Sequence, residues 1–491
     1  MKRRYTALLC LMVILLSSGM AGCNQPEKET TAGQTAETET VIMETETVPE
    51  TSLLDTIQTA DYDGYTFRIT SYQNATWPKP EFGVEELTGE VLNDVLFERN
   101  QLICELFNIG ITVLSDTKSH SSEVNKAVTA GEDAYDLLSE PSGDTMSLSV
   151  NGVLMDMAGM DTFHFDKPWW STQYIRDSSI GGRTFFGLSS CNLYAYDTTP
   201  LVLFSKDLIT DYSMELPYEA AKNYRWTFDM MIEMASVISV DTDGNGTMDQ
   251  YDKYGLVGNN YISDVLLYGC DITFVSKDDR DLPVYAVDLE YLTDVMDKML
   301  ILTNKEYAFV ADRYGGVDRE AAPLNAFTEK RALFWPSPTS ALFKLRDSEV
   351  SYGILPVPMF EESQGHYTSF ITTDGTVLSI PITCADPEKN SMITEALTMA
   401  SYEIVRPAYY DITLGNKLVQ DEQSSKMLDL IQESYVCDIG NLLRASGFSL
   451  VGDLRAIITK EGTNVASTIA AKEKSYRSTV ESIAEKIVNM P

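Results

Sequence analysis

Tyr65-Thr66-Phe67-Arg68-Ile69-Thr70 alternates apolar and polar side chains, the period of a strand with one buried face. A polar loop containing Trp77 follows. From Val91 to Phe107 the apolar residues Val91, Leu92, Val95, Leu96, Leu102, Ile103, Leu106 and Phe107 recur at helical spacing, and Ile109 to Leu114 reads as the next strand. Strand, helix and strand joined by so long a crossover open an α/β sheet. In such sheets ligands bind beyond the carboxyl ends of the strands.

The alternation continues outward from this unit. Ser122 to Ala130 is helical in pattern and Tyr135 to Leu138 strand-like. Leu201 to Phe204 is a strand, Thr227 caps a helix running to about Ser239, and Tyr254 to Val257 is a further strand. Asp288 to Leu302 is helical, and Ala332 to Trp335 is a strand that Pro336-Ser-Pro338 is expected to break. Helical patterns close the chain at 391–405, 424–436 and 466–489.

On the other side of the opening strand, Lys2, Arg3 and Arg4 precede an apolar run, Ala7 to Leu16, which is too short to span a bilayer. Met20-Ala21-Gly22-Cys23 resembles a bacterial lipobox, which predicts a signal peptide over 1–22 and lipidation at Cys23 as the membrane anchor. Residues 23–60 are rich in Thr and Glu and contain no aromatic residue, so a disordered linker is expected. The formal charge of −36 argues against a nucleic-acid partner. Cys104, Cys191, Cys270, Cys384 and Cys437 are widely spaced, form no CxxC pair, and read as mostly buried apolar thiols.

Several short stretches then occur in one order. They are Glu98-Arg99-Asn100, Phe107-Asn108-Ile109, Tyr135-Asp136-Leu137, Asp166-Lys-Pro-Trp-Trp170, Leu203-Phe204-Ser205-Lys206-Asp207, Trp226-Thr-Phe-Asp229, Phe327 to Phe334, and Tyr352 to Pro358. In this order, behind a lipobox, the chain resembles the family 1 extracellular solute-binding proteins of ABC importers, the maltose- and oligosaccharide-binding lipoproteins. The resemblance implies an α/β, two-lobed periplasmic-binding-protein-like fold of type II, with a ligand cleft between the lobes. Lobe one would hold 61–196 with a return segment at about 360–400, and lobe two 200–356. A C-terminal helical region, 400–491, would pack across both. Crossings between lobes are expected near 195–200 and 357–370. A carbohydrate ligand, ABC permease subunits as partners, a monomeric state and an extracellular or periplasmic position at the membrane follow from the same resemblance.

Sugar sites pair an aromatic platform with polar side chains. Trp77 and Trp335 sit at expected strand ends and are the candidate platforms. Trp169 and Trp170 are expected to divide into one packed and one cleft-facing ring. Tyr194, Tyr196 and Asp197 fall at the first crossing and Tyr367 at the second, where hinge segments line a cleft. Trp226, just ahead of a helix cap, is expected to be structural.

No GxSxG, HExxH, GxxxxGK or helix-opening GxGxxG motif is present, and His120, His164 and His366 are dispersed. No catalytic residue is therefore assigned. A surface glycoside hydrolase and a non-transport sensor or adhesion lipoprotein are the alternatives. The sharpest local motif runs from Asp241 to Asp252. Asp241, Asp243, Asn245, Thr247, Asp249 and Asp252 stand where a twelve-residue calcium loop places its ligands, with Gly246 at the turn. A structural Ca²⁺ is expected there, and an Asx-rich surface turn is the competing reading.

Overall fold

In the computed structural model, which describes residues 52–74, 80–410, 418–460 and 464–490, strand β1 (Tyr65–Tyr72) lies between two parallel neighbours. Ile69 faces Val113 of β2 (Ile109–Asp116) on one side and Leu137 of β3 (Leu137–Pro141) on the other. Phe67 and Ile69 are buried while Thr66 is exposed, as the alternation requires. The helix between β1 and β2, Val91–Phe107, buries Leu96, Arg99, Asn100, Ile103 and Phe107, one face at helical spacing. It stops at Asn108, which takes the left-handed conformation that asparagine tolerates. Its buried Arg99 donates to the Glu81 carbonyl at 2.6 Å and to Ser401 Oγ at 3.1 Å. That guanidinium ties the helix to the loop after β1 and to the C-terminal part of the chain.

The sheet of lobe one is completed by strands from elsewhere in the chain. Its order is β2-β1-β3-β14-β4, with β4 (Phe186–Gly187) and the returning β14 (Thr376–Ser379) antiparallel to their neighbours. Lobe two is a second sheet built from β5 (Pro200–Ser205), β7 (Lys253–Gly258), β10 (Ala308–Val310), β11 (Ala332–Pro338) and β12 (Tyr352–Leu355). The order is β10-β7-β11-β5-β12, with β6 (Ser239–Val240) against β7. Strands β5 and β12 are buried along their whole length, as expected where helices cover both faces of a sheet. Hairpin β8 (Val275–Lys277) and β9 (Pro283–Tyr285) stands apart, as does the pair β13 (Ser369–Phe370) and β15 (Tyr435–Val436).

The chain passes between the sheets twice, from β4 to β5 and from β12 to β14. These two segments touch. A Cβ on Gly375 would lie 3.1 Å from Ala195 Cα and 2.6 Å from Ile371 Cγ2, so only glycine permits this approach. The long helix Val465–Val488 packs on β9, on the helix Leu289–Leu302 and on the helix Ser142–Val150, so it meets both lobes.

Three expectations are corrected. Residues 53–57, expected in the linker, pack on lobe one. A short helical turn, Leu53–Thr56, lays Leu53, Leu54 and Ile57 against the lobe-one core, because these apolar residues have a surface to bury on. The strand from Ala332 continues through Pro336 to Pro338, paired with β5. Its pairing with β7 ends at Phe334, so the missing proline N–H groups interrupt no ladder on that side. The helix capped by Thr227 ends at Ser236. The signal segment, Cys23, the linker as far as Thr51, and Trp77 lie outside the described residues. Among the described residues, Cys104, Cys191, Cys270, Cys384 and Cys437 form no disulfide.

Candidate ligand-binding cleft

Strand β11 carries Trp335 at its middle, and past Pro338 the chain turns through Thr339 and Ser340. This turn is fastened to the first crossing: the Thr339 N–H donates to the Thr199 carbonyl and the Ser340 N–H to the Asp197 carbonyl, both at 2.8 Å. Facing it from lobe one are Tyr194 and Asp374, and the C-terminal helices add Asn441 and Arg444. Together these walls enclose a cleft of about 320 Å³, within the ~300–1,000 Å³ range of small-molecule sites. A second hollow, of about 420 Å³, is lined by Lys277, Asp281 and Asp438, and no strand of either large sheet reaches it. The strand-end rule favours the first.

Tyr194 is held from behind. Its N–H donates to Glu81 Oε1 at 2.9 Å, and Glu81 also accepts from Ser139 Oγ and Thr376 Oγ1, each at 2.7 Å. One buried carboxyl thus joins β3, β14 and the first crossing. Burial pushes this carboxyl up to about 7, against the opposing pull of those donors. The Tyr194 ring packs on Tyr72 at 5.8 Å between centroids, and Trp335 packs on Phe327 at 5.6 Å. An aromatic ring therefore stands on each side of the cleft.

The floor is ionic. The Asp264 side chain is 2% exposed; Arg455 Nε donates to Oδ1 at 2.6 Å, Arg455 Nη2 donates to Oδ2, and Arg444 Nη1 reaches Oδ2 at 3.4 Å. Among the described residues, two buried polar atoms that line this cleft have no hydrogen-bond partner, the Tyr261 hydroxyl and Asn441 Oδ1.

Of the residues expected from sequence, Trp335 and Tyr194 line this cleft and the others described do not. Trp169 and Trp170 are both packed in lobe one, and each indole N–H donates to Glu395 at 2.8 Å. The expected division of that pair is corrected: a single buried carboxylate satisfies both rings, so neither is turned outward. Tyr367 is buried on Tyr224 and donates to the Ala221 carbonyl at 2.8 Å. Tyr196 packs between Tyr410 and Tyr435, and the buried Asp197 carboxylate accepts from Tyr409 at 2.5 Å. The Trp226 indole N–H donates to the Pro356 carbonyl at 2.9 Å in the lobe-two core, a structural place. Sequence reasoning missed Tyr261, Asp264, Asp374, Asn441, Arg444 and Arg455. Tyr261 and Asp264 follow β7, so the strand-end rule pointed to them. The last three come from helices with no local signal.

The loop 241–252 joins β6 to β7 as a hairpin, without flanking helices. Asp241, Asp243 and Asp252 bring carboxylate oxygens within 4.8 Å of one another, a grouping that does not include Asp249. Asp241 accepts from the Gly244 and Gly246 N–H groups at 2.7 and 2.8 Å, and these bonds hold its carboxyl below the usual range. Thr247 N–H donates to Asn245 Oδ1, and Asp249 Oδ1 accepts from Tyr251. Three converging carboxylates on an oxygen-rich loop fit a hard divalent cation.

No family model and no curated protein matches the sequence. Among solved structures, the chain is similar to the galacto-N-biose/lacto-N-biose I-binding protein of an ABC transporter from Bifidobacterium longum, in complex with lacto-N-biose. The TM-score is 0.57 at 12% identity, over 87% of this chain and 98% of that one. It is similar to UgpB from Mycobacterium tuberculosis in complex with glycerophosphocholine, at TM-score 0.56 and 13% identity over 85% and 98%. A family 1 extracellular solute-binding protein from Bifidobacterium longum subsp. infantis matches at TM-score 0.55 and 11% identity over 85% and 99%. The chain has the two-lobed α/β fold of the family 1 extracellular solute-binding proteins.

Proposed function

We propose that this chain is the substrate-binding lipoprotein of an ABC importer, anchored to the membrane through a lipid on Cys23. In this reading it captures a carbohydrate, expected to be an oligosaccharide, outside the cell as a monomer and delivers it unaltered to permease subunits. The observation that carries the reading is the cleft between the lobes, with Trp335 on one wall, Tyr194 on the other and polar side chains between them. This is the combination that recognises the C–H faces and hydroxyl edges of sugars. Among the described residues no helix is long and apolar enough to cross a membrane, which fits attachment through the N-terminus. Calorimetry of the mature chain against mono- and oligosaccharides is the test. Binding of one glycan without turnover supports the reading; tight binding of a dipeptide or amino acid, with no response to any glycan, overturns it.

We also propose that loop 241–252 binds one structural Ca²⁺ through Asp241, Asp243 and Asp252, with Asn245, Thr247 and Asp249 as further oxygen donors. Lacking flanking helices, the loop would stiffen lobe two and not act as a switch.

A further inference from the structure

The whole chain carries 73 acidic and 37 basic residues, yet the cleft reverses that balance. Its lining holds four basic side chains, Arg319, Lys344, Arg444 and Arg455, against three acidic ones, Asp264, Glu320 and Asp374. Arg319 is already engaged with Asn260, Asp312 and Glu320. Arg455 spends its fork on Asp264. Arg444 makes one long bond, 3.4 Å, to the same carboxylate. Among the described residues Lys344 makes no hydrogen bond or ion pair, Asp318 being only near enough to feel its charge, and it stands exposed at the rim. Asn441, which lines the same cleft, is 4% exposed, and among the described residues its Oδ1 has no donor and the Tyr261 hydroxyl no partner. A buried acceptor left open is costly unless a ligand supplies the donor.

We infer that the cleft selects a saccharide bearing a carboxylate, of the uronate class, with Arg444 and Lys344 receiving the anion and Asn441 and Tyr261 the hydroxyls. The guanidinium fork matches a carboxylate, and the ammonium adds a second charge without geometric demand. A neutral sugar would leave both cations without gain. Asp374 lines the same space within reach of the Arg444 charge, and ligand hydroxyls can donate to it. Against the negative charge of the whole chain, a cleft lined by one more basic than acidic side chain favours an acidic sugar.

This inference rests on the carbohydrate reading, and the test separates the two. The full mature chain is titrated calorimetrically with maltotriose and cellotriose as neutral probes and with trigalacturonate and glucuronoxylobiose as acidic ones. Glycerophosphocholine and trialanine serve as non-saccharide probes. An acidic trisaccharide should bind at least about 10-fold tighter than the neutral ones, and Arg444→Gln and Lys344→Gln should each shrink that preference about 10-fold. Neutral probes binding as tightly, or both variants leaving the preference intact, overturn the uronate inference and leave the carbohydrate reading standing. Binding of only the non-saccharides, or of no probe, removes the carbohydrate reading and this inference together. Lys344 is exposed, so its variant reports on binding even if Arg444→Gln folds poorly.

Discussion

Arg455 grips Asp264 through both ends of its fork, Nε to Oδ1 at 2.6 Å and Nη2 to Oδ2, and so joins the helix Leu450–Thr459 to the helix Ile262–Gly269 of lobe two. The carboxylate is nearly inaccessible, whereas the two guanidiniums are about a quarter exposed. Removing the carboxylate therefore leaves two cations facing each other with partial access to water. Asp264→Ala should cost about 3 kcal/mol of stability, less than for a fully dry pair, measured by urea denaturation. A midpoint unchanged from wild type would show that this pair contributes nothing to the packing of the C-terminal helices.

Trp335→Ala should weaken ligand binding by about 1–3 kcal/mol, the loss expected for an aromatic anchor in a desolvated pocket. It should also lower stability, because the ring packs on Phe327. Trp226→Ala should cost about 3–5 kcal/mol of stability and leave affinity nearly unchanged, since its ring lies in the core. Calorimetry beside thermal melts distinguishes the two; the reverse pattern would place the cleft elsewhere.

Glu81 gives the fold a pH dependence of definite sign. Its carboxyl sits near 7 in the folded protein against an ordinary 4.5, so the folded state keeps a proton that the unfolded chain loses between those values. Stability contributed by the neutral group is present below about 4.5, falls as pH rises toward 7, and is flat above. The buried Asp438, raised to about 6, acts in the same direction. Glu81→Gln should flatten the Glu81 part of this slope, on the order of 3 kcal/mol across the window. Denaturation midpoints at pH 5 and pH 8 measure it, and equal slopes for wild type and variant would contradict it.

Calcium should raise the melting temperature of the wild type and leave Asp241→Ala unmoved. Asp252 is shorter than the glutamate that usually closes such loops, so a dissociation constant of about 10⁻⁴ M is expected. At millimolar calcium this corresponds to about 1 kcal/mol. A melting curve indifferent to calcium and to chelator would assign the loop to the Asx-rich turn reading.

Local pattern determined the elements. The alternation at Tyr65–Thr70, the helical period from Val91 and the caps at Thr227 and Asp288 depend on neighbours a few residues apart, and strands and helices lie where those patterns fall. Trp335 lines the cleft from the middle of β11 and not from its end, since the strand runs on to Pro338. What surrounds a side chain was not legible in this way. Trp169 and Trp170 looked available, but Glu395, more than two hundred residues later, accepts both indole protons and closes them into the core. Tyr367 and Tyr196 were likewise taken by partners distant in sequence. Arg444, Arg455 and Asn441 stand on helices whose apolar period says only that they pack. Their place in the cleft was decided by tertiary structure, because the last helices fold back across strands laid down far earlier in the chain, and only that return brings their charges to Asp264.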